Sequence, residues 1–170
     1  MSTSEHKAEA PKTVGCMVIT VSDTRSEETD KSGALMKSLL AAAGHETHLY
    51  RIVKDEPSEI IEAIREGTGH PQVDVILLNG GTGIAPRDTT YEAVKELLEK
   101  EMPGFGELFR YLSYAVDIGS AAILSRAIAG TYRGRAIFST PGSSGAVKLA
   151  MEKLIVPELG HVVRELKKQG

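Results

Sequence analysis

The amino-acid sequence predicts an α/β fold in which helices cover both faces of a mainly parallel sheet. Two short apolar runs rich in β-branched residues, 14–21 (VGCMVITV) and 73–78 (VDVILL), are typical of strands buried on both faces. Segments of this kind alternate along the chain with segments whose apolar residues recur at helical spacing. Because parallel neighbours need a crossover connection, the alternation favours a parallel sheet between two helical layers.

The elements are predicted in order from these patterns. Residues 1–12 mix charges with Ser, Thr and Ala and are expected to be a disordered tail, followed by one domain, 13–170. Residues 121–128 fit either a strand or a helix. The helix from residue 143 is expected to end before Pro157, because a residue preceding proline disfavours helical dihedrals. Strands are predicted at 14–21, 45–53, 73–78 and 135–140, and helices at 35–43, 58–66, 89–100, 105–116, 143–156 and 158–168.

Composition limits the class of protein. A chain of 170 residues is the size of one domain, and its net charge of −3, from 20 basic and 23 acidic side chains, provides no general field for nucleic acid. The single cysteine, Cys16, lies in an apolar run, which predicts core packing and no disulfide. No segment approaches the roughly 20 apolar residues that span a bilayer. We therefore expect a cytoplasmic protein without a membrane anchor.

The loop Asn79-Gly80-Gly81-Thr82-Gly83 is the first candidate site. Ligands of open α/β sheets bind outside the carboxyl ends of the strands, and this loop follows the apolar run 73–78 and leads to a helix. Its glycines can bring backbone N–H groups close to an anion, next to the positive end of a helix dipole. A tight turn without a ligand is the alternative, since neither the Walker A nor the dinucleotide motif is present.

Acidic residues after two strands are the second candidate. Asp88 precedes Thr89 and Glu92, which fit a capping box, so Asp88 lies just outside the helix and beside the anion loop. A carboxylate there repels phosphate unless a cation lies between them, which makes Asp88 a candidate Mg²⁺ ligand. Asp55, after the second strand, is a similar candidate. The alternatives are a turn-forming role for Asp88 and helix capping for Asp55 and Glu92.

Two further loops offer polar groups, and several other chemistries are excluded. Ser22-Asp23-Thr24-Arg25 follows the first strand, and Pro141-Gly142-Ser143 follows the last strand. The chain has no H-E-x-x-H, no paired C-x-x-C and no G-x-S-x-G elbow, so we expect neither a transition-metal site nor a hydrolase. A flavodoxin-like redox module remains an architectural alternative, although 5% aromatic residues and no tryptophan leave little to stack on a flavin.

Five motifs closely resemble the MoaB/MogA group of molybdenum cofactor biosynthesis proteins. They are NGGTG, PRDTTYEA, EMPGFGELFR, AILSRAIAG and TPGSSGAVK, and the resemblance extends from about Val14 to Leu166. TPGSS and the compact length are most similar to the MoaB branch. The resemblance implies a three-layer α/β/α molybdopterin-binding fold and assembly as a homo-oligomer, a trimer or a dimer of trimers.

The resemblance also implies a reaction. Catalytic members adenylylate molybdopterin with Mg²⁺ and ATP, releasing pyrophosphate before a molybdenum-insertion enzyme of the same pathway acts. The alternative is a non-catalytic molybdopterin-binding member, since the MoaB branch includes such proteins. The family's two acidic positions correspond to Asp55 and Asp88, either of which would bind Mg²⁺. The residues expected to bind substrate are Ser22, Asp23, Arg25, Gly80, Gly81, Thr82, Gly83, Glu92, Ser125, Arg126, Pro141, Gly142 and Ser143. For Arg126, a structural or intersubunit ion pair is the alternative to a phosphate contact.

Overall fold

The computed structural model describes residues 2–168, and six strands within them form one sheet. The strands are β1 (Gly15–Val21), β2 (Glu46–Val53), β3 (Val75–Asn79), β4 (Lys100–Glu101), β5 (Ile128–Tyr132) and β6 (Arg135–Thr140). The α-helices are α1 (Thr3–Glu9), α2 (Lys31–Ala42), α3 (Pro57–Thr68), α4 (Thr90–Leu97), α5 (Pro103–Val116), α6 (Ser144–Ala150) and α7 (Val156–Leu166). A 3₁₀ helix covers Gly119–Leu124, and a π-helical turn, Met151–Ile155, joins α6 to α7. No helix in this part of the chain is long and apolar enough to cross a bilayer.

The sheet is mainly parallel and lies between two helical layers, which confirms the predicted fold class. The strand order is β2-β1-β3-β6-β5-β4, with β2, β1, β3 and β6 parallel and β5 and β4 antiparallel at one side. The chain leaves β1 first towards β2 and then crosses to β3, so the order reverses at β1. The carboxyl ends of the four parallel strands meet at one edge, and their loops are neighbours there.

The central strands are nearly continuous apolar runs in the sequence because helices cover both of their faces. In β1, Cys16 and Val18 belong to the core under α2, α5, α6 and α7, whereas Met17 and Ile19 belong to the core under α3 and α4. Alternate residues thus face opposite layers, and both faces are dry. Cys16 is fully buried, as expected, and burial raises the pKa of its thiol to about 12.

The ambiguous segment 121–128 is resolved by tertiary contacts. Its first part belongs to the 3₁₀ helix, and a strand that the sequence analysis missed, β5, begins at Ile128. Gly130 in that strand allows β4 to approach closely, since a Cβ on Gly130 would lie 2.2 Å from the carbonyl oxygen of Lys100. A two-residue edge strand and a glycine-containing partner carry too few residues for a clear alternating pattern.

Pro157 does not end a helix, contrary to the sequence prediction. The helical path continues from Ser144 through the π-helical turn into α7, with Pro157 in the first turn of α7. A proline lacks the N–H that an α-helix would use at this position, and a π-helical turn already interrupts the regular hydrogen-bond pattern. The wider turn accommodates the proline without breaking the helix.

The N-terminal tail corrects a second expectation, because residues predicted to be disordered form α1. The side chain of Ser2 accepts a hydrogen bond from the Glu5 amide, and the Glu5 carboxylate accepts one from Ser2, which is a complete capping box. Ion pairs then attach α1 to α7: Lys7 to Glu158 at 2.5 Å and Glu9 to Arg164 at 2.8 Å. These charged residues bind a specific helix, which charge content alone did not reveal.

Candidate functional site

A cavity of about 560 Å³ lies at the carboxyl ends of the parallel strands. The loops after β1, β2, β3 and β6 form most of its wall. The structure brings these predicted residues together there: Ser22, Asp23, Arg25, Asp55, Gly80, Gly81, Thr82, Gly83, Asp88, Ser125, Pro141 and Gly142. Loops that are distant in sequence therefore converge where the strand order reverses, as the α/β rule predicts.

The glycine loop after β3 lines this cavity and contains unpaired backbone amides. Gly80 and Gly81 have positive φ angles of 104° and 70°. The Gly80 amide donates to the carbonyl oxygen of Thr140 at 3.0 Å, which fixes the start of the loop. The amides of Gly81, Thr82 and Gly83 have no acceptor among residues 2–168. Amides free of protein partners can bind an anionic group of a ligand.

Asp55 carries the most unusual carboxylate of the site. Its oxygen Oδ1 is buried and accepts no hydrogen bond, and a Cβ added to Gly81 would lie 2.7 Å from this oxygen. Burial, and after it the negative charges of Asp23 and Asp88, raise the pKa of the Asp55 carboxyl. An unpaired buried carboxylate is unfavourable, so a bound cation would relieve it.

Asp23 differs from Asp55 because its carboxylate is already paired. Arg87 donates to both Asp23 oxygens, at 2.8 and 3.1 Å, and also donates to Glu56 at 2.6 Å. The Asp55 amide donates to Asp23 Oδ1 at 3.1 Å. The hydrogen bond from Arg87 is the main reason that the pKa of Asp23 is lowered. Asp23 and Arg87 therefore join the loops after β1, β2 and β3.

The capping box predicted at the start of α4 is absent. Thr89 occupies the N-cap position but makes no side-chain cap, because its dihedrals, φ −118° and ψ 3°, are not the extended ones that capping needs. Its buried hydroxyl has no partner. Asp88 instead accepts a hydrogen bond from the Ala85 amide at 3.0 Å through Oδ2. Asp88 therefore stabilises its own turn while remaining in the cavity wall.

Arg126 and Glu92 form an ion pair beside the cavity and are not in its wall. The Arg126 guanidinium also donates to the carbonyl oxygens of Gly83 at 2.9 Å and Asp88 at 2.8 Å. Its hydrogen bond to Glu92 lowers the pKa of that carboxyl. These contacts correspond to the structural alternative, in which Arg126 holds the glycine loop and the start of α4.

Ser143 also lies outside the cavity wall, in contrast to Pro141 and Gly142. Its hydroxyl accepts a hydrogen bond from the Ala146 amide at 3.2 Å and caps α6. Arg25, from the opposite loop, donates to the carbonyl oxygen of Gly142 at 3.1 Å. The loops after β1 and β6 are therefore joined directly, and Ser143 contributes by fixing the helix that follows.

A buried polar network beneath the glycine loop was not found by sequence analysis. Asn79 donates to the Thr20 hydroxyl at 3.0 Å, and Thr20 donates to Asp30 at 2.6 Å. Tyr50 donates to the same Asp30 oxygen at 2.5 Å. Thr20 and Asp30 are 0% and 2% exposed, so their polar groups depend on one another. A threonine inside the otherwise apolar run of β1 was the available signal.

Apolar residues of the 3₁₀ helix and the turn before it complete the cavity wall. Ile118, Ala121 and Leu124 lie there, and the last two belong to the segment whose secondary structure the sequence left open. The cavity wall thus combines free amides and carboxylates with aliphatic groups. That combination suits a ligand with an anionic group at one end and a less polar ring system at the other.

Comparison with known proteins gives consistent results over almost the whole chain. Residues 17–161 match the family described as "Probable molybdopterin binding domain". The chain is 64% identical over 168 residues to the molybdenum cofactor biosynthesis protein B of Halalkalibacterium halodurans, and 63% identical to that of Bacillus subtilis, covering 99% of each chain.

Solved structures resemble the fold to a similar extent. The tungsten cofactor synthesizing protein MoaB from Pyrococcus furiosus is 41% identical with a TM-score of 0.84, covering 94% of this chain and 100% of that one. A MogA structure is 27% identical with a TM-score of 0.79, covering 89% and 99%. The same sheet and helices therefore recur in proteins with widely different sequences.

Proposed function

This chain belongs to the molybdopterin-binding family of molybdenum cofactor biosynthesis proteins, and from that premise we propose that it binds molybdopterin and adenylylates it with Mg²⁺ and ATP. The observation that carries the proposal is that one cavity is lined both by backbone amides without an acceptor and by a carboxylate oxygen without a donor. Gly81, Thr82 and Gly83 can bind an anion, whereas the unpartnered Oδ1 atom of Asp55, with Asp88 also in the wall, favours a cation. Magnesium nucleotides supply both charges at once.

The residues divide the binding of the two substrates between them. The amides of the glycine loop bind phosphate oxygens, and the aliphatic wall at Ile118 and Leu124 contacts the pterin. Arg25, which donates to the carbonyl oxygen of Gly142 in the loop after β6, adds a positive group to the cavity wall. Such positioning brings the two phosphates together and lowers the entropic part of the barrier.

Asp55 and Asp88 fit a divalent cation by their chemistry, since Mg²⁺ prefers carboxylate oxygens and keeps several waters. The buried Oδ1 atom of Asp55 has no hydrogen-bond partner. When bound there, Mg²⁺ would neutralise the negative charge of the polyphosphate. The two carboxylates would orient the nucleotide and need not accept a proton.

The proposed reaction needs no general base. The terminal phosphate of molybdopterin is already anionic at pH 7, because the second pKa of such monoesters is about 6. One of its oxygens attacks the α-phosphorus of ATP and forms a new P–O–P bond. The bond from the α-phosphorus to the bridging oxygen breaks, and pyrophosphate leaves with that electron pair. Charge neutralisation and in-line positioning are then the main contributions of the protein.

The test is pyrophosphate release by the purified protein with molybdopterin, ATP and Mg²⁺. We expect wild-type turnover and none for Asp88→Asn, with molybdopterin affinity retained within about tenfold, or ~1.4 kcal/mol. Glu152→Gln, which neutralises an exposed carboxylate on the π-helical turn, is the matched control and keeps full activity.

The same assay separates the proposal from its alternative, a binding protein without catalytic activity. The resemblance to the MoaB branch favours that alternative. Molybdopterin binding without pyrophosphate release in the wild type would support it and reject the transferase. With turnover, we propose that the adenylylated product passes to a molybdenum-insertion enzyme of the same pathway.

A further inference from the structure

Two histidines and a glutamate from opposite ends of the chain meet on the surface of α1 and α7, outside the cavity. His6 Nδ1 lies 3.3 Å from Glu165 Oε1, and His161 Nε2 lies 3.7 Å from the same oxygen. One ligand atom from each of the three residues lies within 4.8 Å of the other two. We name His6, His161 and Glu165 the histidine cluster.

We propose that the histidine cluster binds a divalent transition-metal ion such as Zn²⁺, through two imidazole nitrogens and one carboxylate oxygen. In a tetrahedral zinc site with bonds of about 2.0–2.1 Å, neighbouring ligand atoms are about 3.4 Å apart. The two measured separations from Glu165 Oε1, 3.3 and 3.7 Å, are close to this value. Water would occupy the remaining coordination position.

Glu158 orients His161 for this role. Its Oε2 atom lies 2.9 Å from His161 Nδ1, and a carboxylate can only accept, so Nδ1 carries the proton. In the neutral ring Nε2 then has a free lone pair, and this is the nitrogen that faces Glu165. A carboxylate on the far nitrogen of a ligating histidine is the usual support in metal sites.

The surrounding charges are compatible with a cation. Desolvation, and after it the positive charge of Arg164, lower the pKa of His6. The nearby cations already face carboxylates: Lys7 is paired with Glu158, Lys168 with Glu165, and Arg164 with Glu9 and Glu165. Neutral imidazole is the form that binds metal.

A metal ion would also explain how so short a helix stays in place. None of the seven residues of α1 is buried, and two partly exposed ion pairs, Lys7–Glu158 and Glu9–Arg164, connect it to α7. Such pairs contribute only about 0–1 kcal/mol each. One ion bound by both helices would attach residues 3–9 to the domain. No linear motif reveals this site, because its ligands come from both ends of the sequence.

The test uses tag-free full-length protein, stripped with a chelator and titrated with Zn²⁺ or Co²⁺ alone. We expect one ion per chain and the strong visible absorption of four-coordinate Co²⁺. His161→Gln should weaken affinity about 100-fold or more, and Glu158→Gln about 10-fold. His70→Gln, in the stacked pair with His48 elsewhere on the surface, is the control and should change affinity little.

Tryptic cleavage after Lys7 and Lys12 provides a second readout. Saturating Zn²⁺ should slow cleavage several-fold in the wild type and not in His161→Gln, provided that both have the same circular dichroism spectrum without metal. Wild-type protein that binds no Co²⁺ in four-coordinate form would overturn the proposal. An equal loss of affinity in His70→Gln and His161→Gln would also overturn it.

Discussion

Asp55 is the residue at which the requirements of folding and of ligand binding differ most clearly. Its buried oxygen has no donor, and Asp23 and Asp88 add negative charge nearby. Carboxylates with such surroundings are frequent at functional sites, because the protein maintains an unfavourable charge that a ligand later neutralises. Asp23, by contrast, is satisfied by Arg87 and stabilises the loops.

Asp55→Asn should stabilise the protein at neutral pH while abolishing adenylylation. A carboxyl whose folded pKa lies above its unfolded value of about 3.8 destabilises the fold once both states are ionised. The favourable contribution of protonated Asp55 is complete below that pH and is lost as pH rises through the folded pKa. We expect a gain below about 1 kcal/mol in the free energy of unfolding at pH 7, because solvent screens the charge of this partly exposed residue.

Urea unfolding at pH 7 and at pH 3.5 checks this prediction. The difference between Asp55→Asn and wild type should shrink at the lower pH, where the Asp55 carboxyl is mostly protonated in both states. Glu152→Gln is again the control, with a similar stability to wild type at pH 7. A less stable Asp55→Asn protein at pH 7 would mean that the carboxylate forms a favourable contact in the folded state.

The loop after β3 is the element on which the site depends, and glycine is required there for two separate reasons. Gly80 has a φ of 104°, and a Cβ added to it would lie 2.2 Å from the carbonyl oxygen of Val21. Gly134, in the turn between β5 and β6, has a φ of 74° but open space around it. The two positions therefore separate backbone strain from steric overlap.

Gly80→Ala should destabilise the protein much more than Gly134→Ala. At the control position, Gly134, alanine must adopt a positive φ angle but meets no other atoms, which costs about 1–2 kcal/mol. At Gly80 the strands β1 and β3 must also move apart, so we expect a loss of at least ~3 kcal/mol. Chemical denaturation of both variants measures the difference. Equal losses would show that the close approach to Val21 relaxes easily.

At the scale of the elements, the prediction was correct where the apolar periodicity of a segment was enough to specify its strand or helix. β1, β3 and the amphipathic helices α3, α5 and α7 were found within a few residues of their observed bounds. Errors occurred where a distant partner decided the outcome. Arg126 draws Glu92 away from the predicted capping box, β4 gives β5 its partner, and the π-helical turn carries the chain past Pro157.

At the scale of the whole molecule, one surface carries a group of large exposed apolar side chains. Helix α5 and the 3₁₀ helix beside it expose Leu108, Tyr111, Tyr114, Val116, Ile118, Ile123 and Leu124, with Tyr111 65% and Ile123 82% accessible. Contiguous patches of this kind commonly mark protein interfaces. Ile118 and Leu124 also line the cavity, so the patch and the site share an edge.

We propose that this surface forms the contact between copies of the chain in a trimer or a dimer of trimers. Tyr111→Glu should lower the mass measured by light scattering after size-exclusion chromatography, because a charge would be buried in the contact. Gln72→Glu, an exposed position with the same change in charge, is the control and should keep the wild-type mass. A monomeric wild type would refute the proposal.

The sequence by itself determined the α/β class and the loops in which the site lies, because both follow from local features. Apolar periodicity indicates which residues face the core, and the α/β rule places ligands after the parallel strands. The motif resemblance identified the family, and the comparisons confirm it.

The tertiary structure alone decided which side chains remain available within those loops. Asp23, Asp55 and Asp88 all lie in loops that follow parallel strands, yet Arg87 pairs with Asp23, and Asp88 accepts from the Ala85 amide. Only Asp55 among them keeps a buried oxygen without a partner. Hydrogen-bond satisfaction and desolvation depend on neighbours brought together by folding, and no local pattern records those neighbours.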